Sequence, residues 1–88
     1  MLTDTIEQRV AATERLLAES CAEWELILAG DRSVLECDAE RLLGYRPGTL
    51  RAQRVEGVCR IARRQIGNRW RYRLRDLAQY IEASYQDA

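Results

Sequence analysis

Histidine and lysine are both absent from these 88 residues. Without histidine the chain lacks the side chain best suited to proton transfer near neutral pH and the commonest metal ligand. It also has no glycine-rich phosphate loop and no nucleophile beside an evident base, so an enzyme would have to use carboxylates, and these fall on acidic helical surface. We therefore expect no enzymatic activity, no metal and no cofactor. Cys21, Cys37 and Cys59 are odd in number and widely spaced. With no histidine beside them they fit neither a zinc site nor a disulfide framework, and are expected to be structural thiols. No apolar run is long enough to span a bilayer, and MLTDTIEQR lacks the basic-then-apolar shape of a signal peptide. A soluble, intracellular protein with no membrane partner is expected.

Arginine is thus the only abundant cation, and its distribution is uneven. Residues 1–44 carry four arginines against ten acids, a net −6, whereas residues 45–88 carry ten against four, a net +6. The neutral total conceals a strong charge asymmetry. Where the arginines cluster, it points to an electrostatic footprint on one face, with two halves that attract each other in the fold or in a dimer as the competing reading.

Residues 35–82 read as one unit. Leu35, Ala39, Leu42 and Leu43 recur at helical spacing, and Gly44 offers a left-handed stop. Arg46-Pro47-Gly48 forces a turn, after which Pro47 suits the first position of a second helix, 47–56, ending at Gly57. The period then becomes two: Ile66, Trp70, Tyr72 and Leu74 alternate with Arg69, Arg71 and Arg73, and Gly67-Asn68 is a hairpin signal within a wing at 61–73. Leu74, Leu77, Ala78, Ile81 and Tyr85 return to helical spacing, with Asp76 near the helix start. Trp70 and Tyr72 are expected in the core beneath the wing, since they alternate with arginine instead of sharing its face.

Before this unit, Asp4 and Glu7 offer a capping box, and no glycine or proline occurs from Thr5 to Ala29, so one long helix is expected to run to Gly30. Its seam, Ile6, Val10, Thr13, Leu17, Ser20, Trp24 and Ile27, is apolar at five of seven positions, and Glu7, Glu14, Glu19, Glu23 and Glu25 make the remainder acidic. Such a seam must bury against the rest of the chain or against the same helix of a second copy. Ile6, Val10, Leu17, Trp24 and Ile27 are the candidate oligomerisation residues. Gly30-Asp31-Arg32-Ser33 reads as a short, stiff loop.

The order helix, turn, helix, hairpin, helix resembles the excisionase-type, MerR-like winged helix-turn-helix family of phage excisionases and AlpA-like regulators. The resemblance rests on Leu42, Leu43 and Gly44 at the turn; on Thr49, Leu50, Arg51, Arg54 and Gly57 around the second helix; on Ile66, Gly67, Arg69, Arg71 and Tyr72 in the wing; and on Asp76, Leu77 and Ile81 after it. It covers about half the chain. It implies a mainly α fold: a small winged helix-turn-helix with a two-stranded wing and a closing helix, residues 32–88, preceded by the amphipathic helix, residues 1–31, as dimerisation element or core cover. It also implies double-stranded DNA as ligand, binding as a homodimer or cooperative array. The implied setting is the bacterial cytoplasm and nucleoid, in DNA recombination beside an integrase or in transcription regulation for a phage or mobile element.

On the chemistry of the side chains, Arg46, Thr49, Arg51, Ala52 and Arg54 are the candidate DNA contacts on the second helix. Arg51 leads for base readout, because its guanidinium matches guanine O6 and N7. Arg63, Arg64, Asn68, Arg69 and Arg71 are the candidates on a wing slim enough for a minor groove. Alternatively, the arginine-rich run is a solvated face that holds the acidic helix docked, and the chain is a protein-interaction adaptor working through that helix. Two residues depart from the family pattern at the helix crossing: Glu40 stands where a small residue is usual, and Gln53 where an apolar one is. Glu40 is expected to lean into solvent or pair with an arginine.

Overall fold

The computed structural model describes residues 5–85. Among these, four helices and one three-stranded antiparallel sheet form a mainly α architecture. The elements are α1 (Ile6–Glu23), β1 (Ser33–Leu35), α2 (Glu36–Leu43), α3 (Thr49–Glu56), β2 (Arg64–Ile66), β3 (Arg69–Arg73) and α4 (Leu74–Ser84). No helix among the described residues is long and apolar enough to cross a membrane.

Helix α1 starts at a capping box one residue later than expected. Thr5 Oγ1 accepts the Gln8 N–H at 3.1 Å, and Gln8 Oε1 accepts the Thr5 N–H at 2.8 Å. Asp4 lies outside the described residues. The helix also stops at Glu23, well short of Gly30. Glu25 takes a left-handed φ of 57°, the Trp24 N–H closes on Ser20 O and the Leu26 N–H on Cys21 O, both at 2.8 Å. This closure usually takes glycine at the left-handed position. Here it occurs on glutamate because the chain must turn to lay Leu26 and Leu28 against the core.

The reversal delivers a strand where a loop ending at Ser33 and a helical spacing starting at Leu35 were expected. Beginning at Ser33, β1 pairs antiparallel with β3, with Val34 opposite Tyr72, and β2 pairs with the other edge of β3, with Gln65 opposite Trp70. The sheet is therefore three-stranded, in the order β1-β3-β2, and not a two-stranded wing. At the β2–β3 turn Gly67 has a φ of 60°, which suits the primed turns of tight hairpins.

One core serves the described residues. Val10, Leu17 and Cys21 of α1 join Val34, Ala39, Leu50, Ile61, Tyr72, Leu74, Leu77 and Ala78 in a single buried cluster. Helix α1 lies on α4, and Val10 and Leu17 of the candidate seam are consumed there. Ile6, Trp24 and Ile27 remain exposed, so the seam as a whole is not left for a second copy. The docking is also electrostatic: Arg75 of α4 pairs with Glu7 and lies 3.8 Å from Glu14, and Thr13 donates to Glu82 at 2.7 Å. The acidic helix thus neutralises part of the basic half within one chain.

Candidate nucleic-acid interface

Helix α3 owes its position to the turn before it. Gly44 closes α2 with a φ of 75°. Pro47 lies in the turn and not in the helix, and Gly48 caps α3 with a φ of 90°. A glycine cap has no side chain to accept from the first free N–H groups. That task falls to Glu40. Its carboxylate is buried, only 5% of the residue being exposed, and Oε2 accepts the Leu50 N–H at 2.8 Å. Glu40 therefore neither leans into solvent nor pairs with an arginine. It fills the crossing and satisfies α3 from α2. Half-buried Gln53 sits beyond it on α3.

A second carboxylate joins α2, α3 and the sheet. Glu36 accepts two hydrogen bonds from Arg54, at 3.0 and 3.1 Å, and one from the Tyr72 hydroxyl at 2.7 Å. Burial alone would raise the Glu36 pKa, but the hydrogen bonds from Arg54 and Tyr72 outweigh it and hold the carboxyl below its usual range. Burial, with Glu36 as acceptor, raises the Tyr72 phenol. Arg54 also stacks on Trp70, its guanidinium carbon 4.8 Å from the ring centroid, and Arg63 lies 5.5 Å from the same centroid.

These contacts divide the ten candidate residues. Arg54 is not on the open surface but held by Glu36 and Trp70. Arg63 donates to the Ile61 carbonyl at 3.1 Å, and Arg71 donates to Ser33 Oγ and O at 2.9 and 2.8 Å. All three hold the fold together. Thr49 donates its hydroxyl to the Arg46 carbonyl at 2.7 Å, and Arg64 approaches Asp31 at 3.7 Å. Arg46, Arg51, Ala52, Asn68 and Arg69 are exposed.

Arg51 of α3 meets Asn68 and Arg69 of the hairpin tip across one open cleft of about 310 Å³, which Glu36, Cys37 and Trp70 also line. The helix and the tip thus present Arg51 and Arg69 to the same space as Arg54, which is already paired with Glu36. Cys37 at its edge is exposed, unlike buried Cys21, which corrects the expectation of three structural thiols. Comparison with known proteins found no matching family model, curated protein or solved structure.

Sequence reasoning overlooked Glu36, whose position in the first turn of a helix reads as ordinary dipole complementation. It also overlooked exposed Arg60 and Val55, the latter because an isolated valine near a helix end carries no signal by itself. Among the described residues no cluster of His, Cys, Asp or Glu could hold a metal ion.

Proposed function

We propose that the chain binds double-stranded DNA as a winged helix-turn-helix, with α3 in the major groove and the β2–β3 tip in the adjacent minor groove. The observation that supports this reading is the shared cleft, where Arg51 from α3 and Asn68 and Arg69 from the tip face one space, while Arg54 in the same lining is held by Glu36 and Arg71 by Ser33. In this reading Arg51 reads a guanine edge, and Arg69 sits where a narrow groove concentrates negative potential. With the family resemblance, the biological setting is an excisionase-like architectural factor or small transcriptional regulator of a phage or mobile element, assembling on the DNA as a dimer or cooperative array, in the excisionase case beside an integrase.

Fluorescence anisotropy with a mixed-sequence duplex across a salt series tests it. Each phosphate neutralised steepens the slope of log K against log salt by about 0.9. Arg69→Ala is expected to flatten that slope, and Arg51→Ala to abolish preference for a selected site. Undetectable binding at low salt would overturn the reading. It would favour the second one, a protein-interaction adaptor, for which α1 offers exposed Leu16 and, beyond its end, Ile27, 83% exposed, among Glu19, Glu23 and Glu25.

A further inference from the structure

Helix α3 has an outward face that the fold leaves unexplained. Its inner side is set by Leu50, fully buried, and by half-buried Gln53 and Arg54. Opposite them, Gly48, Arg51, Ala52 and Val55 recur at three and four and line one shallow groove of about 390 Å³ with Glu56. Val55 is 71% exposed there, leaving apolar surface in water at a cost. Gly48 and Ala52 add almost no bulk, so a ligand can come close to the helix backbone. From residue 46 to residue 60 the exposed charges are three arginines, Arg46, Arg51 and Arg60, and one acid, Glu56. A segment of net positive charge is complemented by an anionic duplex.

Major-groove edges carry one apolar group, the C5-methyl of thymine. We propose that Val55 is a specificity-determining residue that packs on a thymine methyl, in the step where Arg51 takes guanine, with Ala52 keeping the helix close enough for both. This rests on the DNA-binding reading above and names what the site selects: a guanine with a thymine nearby on the floor of the groove. It also accounts for a valine where a purely phosphate-binding helix would place a polar residue.

The test begins by selecting a preferred duplex from a random pool with the full chain. Each thymine in that duplex is then replaced singly by deoxyuridine, which removes the methyl and leaves every hydrogen-bonding group in place. Wild type is expected to lose about fourfold in affinity at one position, the scale of one buried methyl. Val55→Ala is expected to bind the parent duplex more weakly by a similar factor and to be insensitive to deoxyuridine at that position. Because Val55 is exposed, an unchanged melting temperature confirms that the variant is folded. If wild type tolerates deoxyuridine everywhere, or Val55→Ala keeps the full sensitivity, the thymine contact is overturned and DNA binding stands. If no duplex is enriched or bound at low salt, the DNA-binding reading itself fails and takes this proposal with it.

Discussion

The Glu40 carboxylate accepts the Leu50 N–H at 2.8 Å, so the residue that departs most from the expected pattern at the helix crossing is the one that caps the outward-facing helix. Removing it strands a buried N–H and leaves a space at the crossing. Glu40→Ala is expected to cost about 1–3 kcal/mol. Glu40→Gln, which keeps an acceptor oxygen, should recover most of that in chemical denaturation. Equal losses in the two variants would show that the N–H bond is not what Glu40 contributes.

Stability should fall on the acid side through Glu36. Its folded pKa is depressed below the ordinary 4.5, so its contribution is complete above that value and is lost as pH falls through the folded pKa. Melting temperatures measured from pH 6 down to pH 2 should decline less steeply in Glu36→Gln than in wild type. An identical acid limb in both proteins would place the linkage on other carboxylates.

Two arginines of one strand should behave oppositely. Arg71 is tied to Ser33 of β1 by two hydrogen bonds, whereas Arg69 is exposed at the hairpin tip. Arg71→Ala is expected to lower stability by about 1–3 kcal/mol, and Arg69→Ala to leave it within about 0.5 kcal/mol of wild type. Urea denaturation separates them.

Leu17 is buried in the chain's own core, between α1 and the rest of the molecule. Leu17→Ala should cost about 2–5 kcal/mol, and the melting temperatures of both proteins should not vary with protein concentration. A strong concentration dependence would mean that the seam is completed by a second copy.

The thiols should differ in reactivity. Cys37 is exposed and Cys21 is buried, with burial raising its pKa. A thiol reagent applied to the native protein should label Cys37 rapidly and Cys21 only on unfolding, as read by peptide mass spectrometry.

What the sequence determined by itself was local. Helical spacing marked α2 and α4, glycine marked the ends of α2 and α3, and Gly67-Asn68 marked the hairpin, because each depends on backbone preferences within a few residues. Alternation likewise assigned Tyr72 to the core and Arg69 to the surface. Tertiary structure alone decided the rest. A three-residue strand such as β1 exists only because β3 offers it an edge; it is too short to show an alternation, and Leu35 reads as part of the helical spacing that follows. Helix α1 ends at Glu23 because Leu26 must reach the core, not because a breaker stands there. Arginines that look alike in sequence separate by partners far along the chain. Arg54 meets Glu36 eighteen residues away and Arg71 meets Ser33 thirty-eight away, while Arg51 has no hydrogen-bond or ion-pair partner among the described residues. A long cationic side chain takes whichever acceptor the fold brings within reach, and that choice is made in space.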